Sequence, residues 1–264
     1  MVAVPAPAVA VWGGEPDGDD HPSVGAMFYD ADGDGTVSGD DLVCSGAYAG
    51  THYGHDVFLT AGHCLPPPEF AIPPEAGRVS FDPDLRDGVA SSIPLDAYHV
   101  MPGFGHDRGD LKDLGILLLP AGSVDAAFDS PPPVQLPPEG YLDDLKREGE
   151  LQFRTVDIVG YGATPIWGPG GPTTFEIPYI RQQGTSVITG LRPANVLYNQ
   201  NPHGIGTGSG VCFGDSGSPQ LDAGTLTVIS VTSGGNKHCN ANNVNTRVDT
   251  PSAREFLGRF IALP

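Results

Sequence analysis

The segment of this chain best suited to chemistry is Gly214-Asp215-Ser216-Gly217-Ser218-Pro219. A serine hydroxyl is a weak nucleophile at neutral pH. It becomes useful only with a base beside it and with donors placed to hold the oxyanion that forms when it attacks a carbonyl. Glycines on either side of Ser216 allow a tight turn and leave room for such a carbonyl, and the backbone N–H groups of Gly214 and Ser216 can converge on one point. Read alone, the segment is also an ordinary turn, since Gly, Ser and Asp favour turns.

Two further segments supply what the serine lacks. Thr60-Ala61-Gly62-His63-Cys64 follows the apolar run 57–59 and sets one imidazole at a strand end, although with eight histidines any single one is first read as structural. Asp113 directly abuts the apolar run 114–119, with Asp110 as a nearby competitor. A carboxylate there can fix an imidazole's tautomer and stabilise its cation, or can be a plain strand-end turn residue. The order His63, Asp113, Ser216 along the chain distinguishes this set from subtilisin-like and α/β-hydrolase triads, which run in other orders.

These residues need a scaffold, and the sequence describes one made of strands. Of 264 residues, 37 are Gly and 27 are Pro, enough turn formers to cut the chain into short segments. Short strands are expected at 24–28, 42–48, 57–60 and 114–119, a Pro-rich stretch follows at 131–138, and further strands are expected near 155–160, 185–189, 226–231 and 245–248. Prolines in that stretch stiffen a connection and interrupt any sheet. The division predicts residues 11–125 as one unit and 126–264 as another. One helix is expected, at the C-terminus: Thr250 as N-cap, Pro251 in the first turn, and an apolar stripe of Ala253, Phe256, Leu257, Phe260 and Ile261.

Charge and cysteines narrow the function class. Lys and Arg total 13 against 32 Asp and Glu, a net charge of −19, which repels phosphate backbones and argues against a nucleic-acid partner. No apolar run is long enough to span a bilayer. Cys44, Cys64, Cys212 and Cys239 form no C-x-x-C pair, so they do not read as a structural zinc site. Four cysteines allow two disulfides in three connectivities, or four free thiols in a reducing compartment. Residues 1–10 are apolar and lack a basic residue, and Ala8-Val9-Ala10 has the small-x-small form of a signal-peptidase site, so this segment reads as the remnant of an export signal or a short pro-segment.

TAGHC, DLGILLL and CFGDSGSP together resemble the three catalytic motifs of the chymotrypsin/trypsin family, and the likeness runs from about Val11 to the C-terminal helix. The resemblance implies an all-β fold of two six-stranded antiparallel β-barrels packed together with a C-terminal α-helix. It implies a secreted, monomeric serine endopeptidase acting on proteins or peptides, with no cofactor required for catalysis. His63 would be base then acid, Asp113 its orienter, Ser216 the nucleophile, and Gly214 and Ser216 the oxyanion hole. It also implies pairing Cys44 with Cys64 and Cys212 with Cys239.

Val11-Trp12-Gly13-Gly14 resembles the family's mature N-terminus, whose freed amine pairs with the aspartate before the serine, here Asp215. Alanine precedes Val11, so release by a trypsin-like enzyme is not expected. By motif alignment the specificity pocket has its base at Gly210 and walls at Thr232, Ser233, Gly234 and Asn243. With no acid at its base, such a pocket implies a neutral side chain before the scissile bond.

One motif stands outside this scheme. Asp30, Asp32, Asp34, Gly35, Thr36 and Asp41 match a twelve-residue calcium loop, with Asp41 where glutamate is usual and strand-like flanks instead of helices. The same residues also make an Asp/Gly hairpin turn. Two rival functions follow: a catalytically silent homologue that binds a partner, or a calcium-binding module. The intact triad speaks against the first and is unexplained by the second.

Overall fold

The computed structural model describes residues 11–29, 41–66, 73–86, 91–168, 171–201 and 208–264. The candidate export segment 1–10 and the calcium-loop residues Asp30, Asp32, Asp34 and Thr36 lie outside the described residues. Asp41 lies within them, buried at the start of a strand.

The strands are β1 (Glu15–Pro16), β2 (Val24–Tyr29), β3 (Leu42–His52), β4 (His55–Thr60), β5 (Gly77–Ser80), β6 (Ile93–Pro94), β7 (Ala97–Val100) and β8 (Gly115–Pro120), followed by helices α1 (Ser123–Phe128) and α2 (Tyr141–Glu148). The second half has β9 (Thr155–Gly160), β10 (Thr164–Gly168), β11 (Gly171–Glu176), β12 (Gln182–Leu191), β13 (Asn195–Asn199), β14 (Pro219–Asp222), β15 (Val228–Gly234), β16 (Asn242–Arg247) and helix α3 (Pro251–Leu257).

Strands β2 to β8 form one antiparallel sheet in the order β6-β5-β2-β3-β4-β8-β7. Its two ends, β6 and β7, are the halves of one bent segment. Leu95 N still bonds Gly77 O beside β5 at 3.1 Å, and Asp96 N already bonds Leu118 O of β8 at 2.8 Å. Counted as one strand, 93–100 curls the sheet into a barrel of six. The second sheet runs β9-β14-β15-β16-β13-β12 and closes on itself, because β12 pairs with β13 through one half and with β9 through the other. The fold is therefore all-β with two barrels. β10 and β11 stand apart as a separate hairpin.

Burial explains why these segments form strands. All six residues of β2 are buried, as expected of a strand covered on both faces, and they read as an unbroken apolar run. Phe58, Leu59, Ile116, Leu117 and Leu119 of the first barrel are buried in one core cluster, and Val156, Ile158, Val196 and Ile229 of the second in another.

Helix α3 starts as the sequence predicts, with Thr250 Oγ1 accepting from Ala253 N at 3.3 Å and Ala253, Phe256, Leu257 and Ile261 buried in the core. Helices α1 and α2 were not expected. Each is short, and α2 buries only Leu142 and Leu145, too few positions to make a visible stripe.

The Pro-rich stretch lies along both halves. Val134 N bonds Tyr48 O of the first barrel at 2.9 Å, and Gln135 bridges Thr227 beside the second. The N-terminal segment, read from sequence with the first barrel, pairs with the second: β1 lies against Gln182 and Gln183, and Trp12 bridges Gly210. A buried ion pair ties it down. Arg181 is 1% exposed and donates to Asp17 Oδ2 at 2.7 Å, Gly18 O at 2.6 Å, Phe81 O at 3.0 Å and Val24 O at 3.1 Å.

Candidate active site

The register of the first barrel brings two of the three catalytic candidates together. β4 and β8 are antiparallel with Thr60 opposite Gly115, so the residues just after β4 and just before β8 meet at one end of the barrel. His63 lies in a short 3₁₀ turn after β4 and Asp113 precedes β8. His63 Nδ1 lies 2.8 Å from Asp113 Oδ2, and His63 N donates to Asp113 Oδ1 at 2.8 Å. A carboxylate only accepts, so Nδ1 carries the proton and Nε2 is left as the basic nitrogen. Asp113 is 2% exposed, while a third of the His63 side chain is open to solvent.

The second barrel supplies Ser216. β14 and β15 pair with Pro219 opposite Val231, and the bond pair Gly217 N to Thr232 O and Thr232 N to Ser218 O, both 2.9 Å, holds the turn just before β14. Gly214 and Gly217 take φ of +93° and +81°. A Cβ on Gly217 would stand 2.1 Å from Thr60 Oγ1 and 2.3 Å from Ser45 O, so only glycine lets the nucleophile loop approach the histidine strand this closely. Ser45 fastens the contact: its N–H donates to Ser216 O at 2.8 Å and its hydroxyl to Gly214 O at 2.9 Å.

The turn leaves two donors open. The amides of Cys212, Asp215, Gly217 and Ser218 bond Asp215 Oδ2, Cys212 O, Thr232 O and Asp215 O respectively. Those of Gly214 and Ser216 have no acceptor among the described residues. Ser216 Oγ likewise makes no hydrogen bond there, to His63 Nε2 or to any other group.

Asp215 is fully buried. It accepts from Cys212 N at 2.9 Å and Gly162 N at 2.8 Å, with no Arg, Lys or His paired to it among the described residues. Burial pushes its carboxyl up to about 7, against the lowering effect of those two amides. Val11 is also fully buried, and Trp12 O accepts from Gly210 N at 3.0 Å, so the N-terminal segment lies along the chain leading into the nucleophile loop.

Both disulfides form as the resemblance implied, Cys44 with Cys64 and Cys212 with Cys239. The first anchors the turn of His63 to β3. The only trio of metal-ligand types that converges among the described residues, Cys44, His63 and Cys64, spends both sulfurs in this disulfide and so offers no metal site.

Beside Ser216 opens a cavity of about 230 Å³, lined by residues 211–213, Thr232, residues 234–237, Cys239 and Gln200. Thr232 and Gly234 line it as placed from sequence. Gly210 stands behind it, against the Trp12 indole and Gln200, and Asn243 also lies outside the lining. Ser233 turns away and donates through Oγ to Asp113 Oδ2. No sequence motif marks Gln200 or Lys237, because both belong to loops whose approach depends on the fold. At the mouth, Phe213 makes an edge-to-face contact with Phe175 of the β10–β11 hairpin at 5.0 Å.

Comparison with known proteins agrees with this geometry. A family model described as Trypsin matches residues 36–255. The fold is similar to that of HL collagenase, at 14% identity and TM-score 0.59, with 96% of each chain covered. It is similar to human heparin binding protein, at 17% identity and TM-score 0.63, with 96% of this chain and 98% of that chain covered. A mutant of human heparin binding protein (CAP37) also matches, at 17% identity and TM-score 0.63, with 94% and 96% covered. No curated protein matches. Since the family model spans most of the chain, and its fold neighbours and its two-barrel architecture agree, this chain belongs to the Trypsin family.

Proposed function

We propose that the protein is a secreted serine endopeptidase that cleaves peptide bonds through an acyl-enzyme on Ser216. The observation that carries this reading is the oriented His63–Asp113 pair at 2.8 Å beside a serine loop with two open amides. Nε2 of His63 takes the Ser216 proton as Oγ bonds the scissile carbonyl carbon. The amides of Gly214 and Ser216 receive the oxyanion. The C–N bond then breaks, His63 passes its proton to the leaving amine, and water, deprotonated by His63, releases the acid and restores the serine.

The cavity beside Ser216 takes the side chain preceding the scissile bond. Among the described residues no Asp or Glu lines it and the one charged lining residue is Lys237, which supports a neutral side chain over Arg or Lys. Among the described residues no helix is long and apolar enough to cross a membrane, and the two disulfides suit an oxidising compartment, which supports export.

Maturation is proposed to free the Val11 amine, which would supply the cation that buried Asp215 lacks. The loop from Asp30 to Asp41 is proposed to take calcium, and melting with and without chelator tests it.

A second reading, a silent homologue that binds a partner, draws on the unbonded Ser216 hydroxyl and on a heparin binding protein among the fold neighbours. A net charge of −19 disfavours a polyanionic partner. Serine–histidine bonds are commonly long before substrate is present. Fluorophosphonate labelling of the chain beginning at Val11, compared with Ser216→Ala, decides: labelling lost in the variant supports the peptidase, and no labelling of the parent refutes it.

A further inference from the structure

Apart from Ser216 itself, the side chains that line the cavity beside it leave only donors unmet among the described residues. Gln200 follows β13 and is 1% exposed, yet its carboxamide lines the cavity. Val211 N donates to Gln200 Oε1 at 3.1 Å, which fixes the amide so that the NH₂ group points the other way. That NH₂ has no acceptor among the described residues. Gly235 lies beside it, where a Cβ would stand 3.5 Å from Gln200 Nε2, in van der Waals contact.

The other polar side chains of the lining divide clearly. Thr232 Oγ1 is engaged by Ser218 Oγ at 2.8 Å and by Gln220 Nε2 at 2.6 Å, and Asn236 Nδ2 donates to Asn240 Oδ1 at 2.7 Å. Lys237, exposed at the edge, forms no ion pair among the described residues, although the chain carries 32 acidic residues. Besides the Ser216 hydroxyl, the unmet side chains of the lining are thus a buried amide donor and a cation, with no carboxylate in the lining among the described residues.

We propose that this cavity selects, before the scissile bond, a side chain that ends in an oxygen acceptor: the carboxamide of glutamine or the carboxylate of glutamate. The proposal rests on the peptidase reading above and names its substrate class. The methylenes of such a side chain lie against Val211, Phe213 and the Cys212–Cys239 disulfide, and its oxygen reaches the Gln200 NH₂. Leucine or phenylalanine fits the volume but covers the Gln200 donor from water and leaves it unpaired, a cost that makes polar sites discriminate sharply. Lysine or arginine brings a like charge to Lys237 and no acceptor. Glutamine and glutamate share the recognised oxygen, and Lys237 is the group that separates them.

The test uses peptides identical except for Gln, Glu, Leu, Phe or Lys before the scissile bond, given to the full chain and to the form beginning at Val11. Expected is a kcat/KM for Gln or Glu roughly tenfold above Leu and Phe, with Lys lowest. Gln200→Met brings Gln and Leu to within about twofold. Lys237→Ala lowers Glu alone if the carboxylate is the natural partner, and lowers neither if the carboxamide is. An enzyme that labels at Ser216 yet cleaves after Leu or Phe as fast as after Gln and Glu overturns this inference and leaves the peptidase reading intact. Absence of both labelling and cleavage in both forms overturns the two together. The profile of the parent enzyme decides the matter even if Gln200→Met does not fold.

Discussion

Ser233 Oγ donates to the same carboxylate oxygen of Asp113 that receives His63 Nδ1. Asp113 therefore accepts three donors, two from His63 and one from the second barrel, and the carboxylate becomes the point where the barrels agree on the position of the imidazole.

This arrangement predicts unequal effects for its members. Asp113→Asn forces a side-chain amide against Nδ1 and favours the wrong tautomer, so kcat should fall by roughly 10³- to 10⁴-fold. Ser233→Ala removes one of three donors and leaves both His63 bonds, so the loss should be about tenfold or less. Steady-state kinetics on one peptide, with fluorophosphonate labelling rates in parallel, checks both. Equal losses from the two variants would mean that Ser233 is not auxiliary.

Asp215 gives a pH signature for the uncleaved chain. Its carboxyl is raised from 3.8 to about 7 by burial, so between those values the folded state holds a proton that the unfolded state releases. Stability from this group is present below about pH 4 and is lost as pH rises toward 7. The melting temperature of the full chain should therefore decline over that window relative to Asp215→Asn, which has no proton to lose. In the form beginning at Val11 the declining trend should disappear, because the freed amine favours the charged carboxylate. Thermal melts at several pH values for the three proteins test it; parallel curves for the full chain and Asp215→Asn would show that the carboxylate is already neutralised.

How much of this was legible in the sequence follows from where each interaction is encoded. His63, Asp113 and Ser216 stand out because each sits in a short motif next to an apolar run, and the antiparallel register of β4 and β8 turns that adjacency into contact. Helix α3 shows because its cap and stripe are local. Gln200, Ser45 and Arg181 gave no signal: each acts through partners more than ten residues away, and nothing near them in the chain marks the pairing. Ser233 and Gly210 were assigned to the pocket by counting along a motif, but counting does not tell which way a strand residue faces. In β15 the pairing with β16 shifts register between Thr232 and Gly234, so those two residues line the cavity while Ser233, the extra residue between them, turns to Asp113.

The Cys212–Cys239 disulfide joins two walls of the cavity and closes a sequence separation of 27 residues that contains the whole nucleophile turn. Replacing both cysteines with serine should lower stability by about 3 kcal/mol, through the chain entropy restored to the unfolded state. It should also slow labelling of Ser216, because Cys212 O and N both bond within the turn that holds Asp215. Denaturant melts and labelling rates separate the two effects. Full labelling at unchanged rate in a destabilised variant would confine the disulfide to a stabilising role.

Arg181 offers the strongest single-residue prediction outside the catalytic groups. Its guanidinium is buried, and four of its five acceptors, Asp17, Gly18, Val24 and Phe81, come from the first 81 residues, the fifth being Tyr161 Oη, while its own chain leads directly into β12 of the second barrel. Burial raises the Asp17 carboxyl, but hydrogen bonds from His21 and Arg181 outweigh it and hold the group below its ordinary value. Arg181→Met removes the cation and leaves Asp17 enclosed with only the His21 bonds to hold its charge, which should cost about 3 kcal/mol. Asp17→Asn with Arg181→Met removes the underpaired carboxylate as well, so the double variant should recover part of that loss. Urea unfolding of the single and double variants measures both. Because Asp17 and Gly18 follow Val11 on the segment that β1 pairs with β12, the single variant should lose activity at temperatures where its barrels are still folded, and loss of activity only at global unfolding would show that the N-terminal segment is held by other contacts.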